Sequence, residues 1–224
     1  MQIDYQVKYS KRKTLNITVE RDRRIVVYAP ENLSEDKIRS IVHSKKDWLS
    51  SKLLHTQKYP VIPDTKEFIS GETLMYLGQN YKLSISDDDI KDIEFEQQFR
   101  ISKTNQIIAN ELFRRWYKLR AMEKIEPIAK EYARNLGVHY NECKISEMKY
   151  RWGSCTPQNN INFNWRIIKA PIFVVRYIVV HELTHLIESN HSFNFWNILS
   201  IQIPDYQKAK DWVKVNGHLL EIDF

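Results

Sequence analysis

The stretch from Pro171 to Ile187, PIFVVRYIVVHELTHLI, constrains the fold more than any other. Its apolar side chains recur on nearly every side, and a proline at the start suits the first turn of a helix. A helix apolar all round is a buried helix, so the rest of the chain must wrap it. Its polar residues are carried inside, where they must find partners. His181 and His185 stand four residues apart. On a helix that spacing stacks both imidazoles on one face, within reach of one metal ion. Glu182 follows the first histidine and points partly aside, which suits a supporting partner of the ligands or a general base better than a ligand.

His191 lies six residues after His185, and a straight helix would turn it away. A break at Ser189–Asn190, with Asn190 in the left-handed conformation and Ser192 capping a following helix, would return it as a third ligand. Glu188 is the alternative ligand, or a partner for a histidine. Imidazole is the commoner zinc ligand and favours His191. Three histidines leave the fourth tetrahedral position to water, the open arrangement of catalytic zinc. For the oxyanion of a tetrahedral intermediate the sequence offers Tyr150, Arg151, Asn164, Arg166, Tyr206 and His218 without ranking them.

The remaining pattern is α+β. IDYQVKY, TLNITVE and RIVVYAP predict an N-terminal meander of strands. Residues 32–57 predict one amphipathic helix capped by Ser34, and residues 58–72 a connection. A hairpin follows, turning at Gly78–Asn80, with more strand to residue 103. From Asn105 the period is helical as far as Gly137, with a kink or break at Pro127. Residues 144–167 read as two strands around a turn. A short helix from Ser192 and an amphipathic helix over Tyr206–Asn216 close the chain. The expected division is a β-rich subdomain with a helix over 1–104 and a second domain over 105–224.

With 42% hydrophobic and 28% charged residues, the composition is that of an ordinary globular protein. Cys143 and Cys155 do not form a CxxC pair, which excludes a zinc ribbon, and Cys155 has no neighbouring base to make it a nucleophile. No apolar run reaches membrane-span length and the first residues lack a signal-peptide core. The expectation is a cytoplasmic protein with reduced thiols and no membrane partner. The net charge is +6, with basic clusters at Lys8–Lys13, Arg21–Arg24 and Arg114–Arg120. Such runs are solvated surface, or a face for nucleic acid or acidic partners.

The runs YRWGSC (150–155), INFNWRIIKAP (161–171), YIVVHELTHLIESNHSFNFW (177–196) and PDYQKAKDWVKVNG (204–217) resemble the YgjP-like metallopeptidases. The N-terminal segments RKTLNITVERDRRIVVYAP and SGETLMYLGQNYKL are similar to that family's as well. The resemblance implies a zincin-like metallopeptidase domain over 105–224, with its HExxH helix beside a small sheet. It is similar to the SprT-like and Wss1-like proteases in the third histidine. That likeness makes His181, His185 and His191 the zinc ligands and Glu182 the catalytic acid/base. Thr184 departs from the alanine expected there.

Within the family segments, INFNW is expected to be a strand beside the cleft, able to pair with an extended substrate, or else core through Phe163 and Trp165. Asn162, Asn164, Trp152 and Arg151 are the candidate substrate contacts. Gly153 is expected at an unusual backbone angle, and Phe195 and Trp196 as wedges behind His191. The leading expectation is a zinc metallopeptidase acting on peptides or proteins. The alternatives are a protease acting on DNA-bound or crosslinked proteins, and a non-catalytic zinc-stabilised binding module.

Overall fold

Short strands rich in β-branched and aromatic residues build the first sheet of the computed structural model, which describes residues 4–19, 24–53, 66–148 and 151–221. Strands β1 (Tyr5–Ser10), β2 (Asn16–Val19) and β3 (Ile25–Pro30) lie in the order β1-β3-β2. β2 and β3 are antiparallel, but β1 joins β3 in parallel, so the expected meander is not formed. The single expected helix is two: α1 (Glu35–Ser44) and α2 (Lys46–Leu53). The Ser44 hydroxyl donates to the Ile41 carbonyl at 2.8 Å, the kind of side-chain bond that competes with helix continuation. Ser34 holds the N-cap position with extended backbone, yet its side chain makes no capping bond. Val27, Ile38, Val42 and Leu49 form the core of this unit.

The chain packs as two compact units, Met1–Asp64 and Thr65–Phe224. The boundary therefore falls earlier than the expected 104/105. Its physical reason is aromatic packing. Strands β4 (Thr73–Tyr76), β5 (Gln79–Ser86), β6 (Glu94–Phe95) and β7 (Phe99–Ser102) form a sheet ordered β4-β5-β7-β6. That sheet packs on helix α3 (Ala109–Leu136). Tyr76 and Phe99 each place their rings 5.0 Å from Trp116, and the Tyr117 hydroxyl donates to the Met75 carbonyl at 2.7 Å. A short 3₁₀ segment, Thr104–Ile108, precedes α3. α3 runs on through Pro127 and ends at Gly137 in the left-handed conformation. The expected connection at 58–72 lies partly outside the described residues.

The third sheet has three strands rather than two: β8 (Glu142–Ser146), β9 (Gly153–Cys155) and β10 (Asn160–Asn164), ordered β8-β10-β9. β10 pairs in parallel with β8 and antiparallel with β9. Both edges of β10 are thus occupied, so it cannot pair with a substrate strand as expected. Phe163 and Trp165 are fully buried.

After a 3₁₀ segment at Trp165–Lys169 comes α4 (Ile172–Thr184), which packs against α3, β9, α5 (Phe193–Gln202) and α6 (Tyr206–Leu220). The β4–β5 hairpin fixes its start. That hairpin turns at Leu77–Gly78, both at positive φ, one to two residues before the expected position. The Leu77 and Gly78 amides donate to the Ile168 and Lys169 carbonyls at 3.0 and 2.7 Å.

The basic run at 114–120 is largely ion-paired: Arg114 with Glu147, Arg115 with Asp92 and Arg120 with Glu123. Most of the cluster at 21–24 lies outside the described residues. Among the described residues no helix is long and apolar enough to cross a membrane.

Candidate active site

The two helical histidines and His191 come together. Their ligand atoms all lie within 4.8 Å of one another, and Nε2 of His181 and Nε2 of His191 stand 2.9 Å apart. α4 ends at Thr184, and His185 forms its C-cap with helical backbone angles, so the one-turn stacking of His181 and His185 survives. The helix stops earlier than the expected Ser189–Asn190. The Thr184 hydroxyl bonds back to the Val180 carbonyl at 2.7 Å, which loosens a helix at that turn. Tight turns then carry the chain through Leu186 to Glu188. Asn190 is not left-handed; its carbonyl accepts from the Ser192 amide at 2.8 Å. Ser192 caps α5, its hydroxyl accepting from the Phe195 amide at 3.3 Å.

His185 Nδ1 donates to the Glu188 carbonyl at 3.1 Å, which fixes its ring and leaves Nε2 an acceptor. Glu188 therefore serves through its backbone, while its carboxylate accepts from Asn194 Nδ2 at 3.5 Å. Phe195, fully buried, lies under the whole cluster, with its ring 5.0 Å from His181 and 4.7 Å from His185 and His191. Trp196 flanks His191 at 5.7 Å and stacks on Tyr206 at 5.3 Å.

The donor set suits a metal ion. Two imidazole nitrogens facing each other can share only one proton, and His181 Nδ1 is buried without a hydrogen-bond partner. Nitrogens held tetrahedrally on zinc sit about 3.3 Å apart, near the 2.9 Å between the Nε2 atoms of His181 and His191 and inside the 4.8 Å spread of the three. Burial, helped by His185, His191 and Lys210, lowers the His181 pKa to about 3. Burial also lowers that of His191, with His185 and Lys210 adding to it. Neutral imidazole is the form that binds metal.

Glu182 is 7% exposed and sits against β9. A Cβ on Gly153 would stand 2.5 Å from Glu182 Cγ and 2.6 Å from its Oε1. Gly153 does not have a positive φ. Its need is close approach of the glutamate, not the unusual backbone angle expected. Burial raises the Glu182 pKa to about 7, opposed by the charge of Arg151. Burial and the nearby Glu182 push the Cys155 thiol up, away from nucleophilic use.

Arg151 and Trp152 line a cavity of about 250 Å³ that also touches His181 and Glu182. Asn164 is fully buried; its amide donates to the Met148 and Arg151 carbonyls at 2.7 and 3.2 Å and so ties both residues to the end of β10. Asn162 Nδ2 contacts Met148 Sδ at 3.8 Å, and its Oδ1 is buried without a partner. Arg166 is buried on Glu147 and over Trp165. Tyr150 lies outside the described residues. Sequence reasoning missed Tyr177 and Lys210, both of which line the cavity. Tyr177 lies one helical turn before His181, a spacing that could have flagged it. Its pKa is raised to about 12, chiefly by burial.

Crystal structures of two metallopeptidase zymogens, abylysin of Pyrococcus abyssi and jannalysin of Methanocaldococcus jannaschii, are similar to part of this chain at 21% identity. Each match covers 40% of this chain and 90% or 87% of the other, with a TM-score of 0.37 in both cases. No curated protein matches the chain significantly. The model of the family described as "YgjP-like, metallopeptidase domain" matches residues 13–216. It spans both units and every residue of the site, and the chain belongs to that family.

Proposed function

We propose that the protein is a zinc-dependent metallopeptidase in which His181, His185 and His191 hold the ion and Glu182 is the general base. One observation carries the reading: three imidazoles from two separate segments converge within 4.8 Å, beside a buried carboxylate. An all-nitrogen set of three with an open position suits catalytic zinc better than magnesium or calcium, which prefer oxygen. Family membership supports metal-dependent hydrolysis in general. Bound zinc supplies Lewis acidity, acidifying water and polarising the scissile carbonyl.

The chain's own groups do the rest. Glu182, with its pKa raised to about 7, accepts a proton from the attacking water and returns it to the leaving amine. Gly153 leaves room for that carboxylate. β9 is an edge strand touching α4, so an extended peptide can add to it and lie along the catalytic helix.

Glu182→Gln tests the mechanism. The variant is expected to keep one zinc ion per chain and to lose peptide hydrolysis by about 100-fold or more. Full activity with zinc retained would sink the general-base role. If His181→Ala unfolds the protein and Glu182→Gln changes nothing, the site is that of a zinc-stabilised binding module.

A further inference from the structure

The cavity beside the histidines has an apolar floor and a cationic rim. Tyr177 and Ile178 are buried and Trp152 and Val213 half-buried, whereas Arg151 and Lys210 are exposed. Arg114, Arg115, Arg120 and Arg166 are each held by a carboxylate. Neither Arg151 nor Lys210 has a carboxylate within ion-pair distance among the described residues. Lys210 is nonetheless fixed. Its ammonium lies 4.2 Å over the centre of the Trp196 ring, which is itself stacked on Tyr206. Arg151 offsets part of the Glu182 charge, and the charge of Lys210 acts on His181 and His191. The cavity's volume of about 250 Å³ suits one side chain better than a larger ligand.

We propose that this cavity recognises a carboxylate of the substrate, with Arg151 and Lys210 as specificity-determining cations. The assignment rests on the peptidase reading above. The methylenes of an Asp or Glu side chain would lie on Trp152 and Val213 while its carboxylate reaches the rim. A Lys or Arg side chain would meet two like charges and be rejected. The same chemistry would capture the C-terminal carboxylate of a short peptide.

The test uses zinc-loaded protein and two peptide sets. One set is amidated at its C-terminus and carries Glu, Gln or Lys at each position around a cleavable bond. The other is neutral, with a free or amidated C-terminus. The expected result is a kcat/KM about tenfold higher with the carboxylate than with its amide, and lowest with Lys. The set that shows the preference names the source. Arg151→Glu and Lys210→Glu should each move the preference toward Lys.

In parallel, tryptophan fluorescence would follow binding of the Glu peptide and its Gln counterpart to zinc-loaded Glu182→Gln protein. Carboxylate-selective binding without any cleavage by the wild type would uphold the pocket and sink the peptidase reading. Cleavage at equal rates for Glu, Gln and Lys peptides would do the reverse. A uniform fall in kcat in Lys210→Glu, with the ratios unchanged, would overturn the pocket and make Lys210 an oxyanion stabiliser. Absence of both cleavage and selective binding overturns both.

Discussion

Gly153 leaves the space that Glu182 fills, and the predictions at this scale turn on that buried carboxylate. Adding one methyl at Gly153 places it 2.6 Å from a carboxylate oxygen, so Gly153→Ala must push Glu182 aside. The expected outcome is hydrolysis reduced about 100-fold, with zinc content unchanged by metal analysis. Wild-type activity would mean that Glu182 is not held where it is needed. The raised Glu182 pKa also has a consequence for stability. Its ordinary value is 4.5 and its folded value about 7, so the folded chain holds this proton more tightly than the unfolded chain. With the metal chelated, Glu182 contributes stability below pH 4.5 that is lost as pH rises through 7. Burial of neutral His181 acts in the opposite direction between about 3 and 6.5, but equally in wild type and variant. Metal-free Glu182→Gln should therefore gain on wild type across pH 4.5–7, by up to about 3 kcal/mol, and run parallel above it. Urea unfolding at stepwise pH reads this directly, and a gap that does not change with pH refutes the buried-carboxylate account. The four-residue spacing made His181 and His185 legible in the sequence. Lys210 was not, because the residue that orients it, Trp196, lies on another helix.

At the scale of elements, the site depends on where α4 begins and where it stops. Its start is clamped by the β4–β5 turn: a Cβ on Gly78 would stand 2.6 Å from Pro171 Cγ, the N-cap residue of α4. Gly71 has a similar positive φ of 93° but nothing within 4 Å of the same built atom. Gly71→Ala therefore reports backbone strain alone, about 1 kcal/mol, and Gly78→Ala should cost more by at least about as much again. Thermal unfolding of the two variants measures the difference, and equal losses would show that the turn does not brace the helix. The helical period and the Gly137 cap were readable because both are local. The breaks at Lys45 and Thr184 were not, since each involves a hydroxyl donating back to a carbonyl that the helical pattern would equally allow. Sheet order was hidden for a different reason. The parallel pairings β1–β3 and β8–β10 join strands distant in sequence, and alternation of apolar residues says nothing about which neighbour a strand chooses.

For the whole molecule, composition suggested a basic protein, but packing changes what that charge can do, because three of the four cations at 114–120 sit in ion pairs. The α+β class followed from the alternation of patterns, whereas the domain boundary did not. A strand-rich run looks the same whether it packs on its own helix or on α3. The described residues form two separate cores, one around Val27 and Leu49 and another that contains Phe99, Tyr117, Trp165, Val180 and Phe195. Every residue placed at the site lies in the second unit. That unit is within the size range of domains that fold alone. A protein of residues 65–224 is therefore expected to unfold cooperatively and to bind one zinc ion per chain as tightly as the full chain. One of residues 105–224, cut at the boundary suggested by the sequence, removes Tyr76 and Phe99 from beside Trp116 and is expected to lose both properties. Circular dichroism melts and zinc titration of the two fragments decide between the boundaries. If the shorter fragment melts cooperatively with zinc bound, the strands at 73–102 are not part of the core that carries the site.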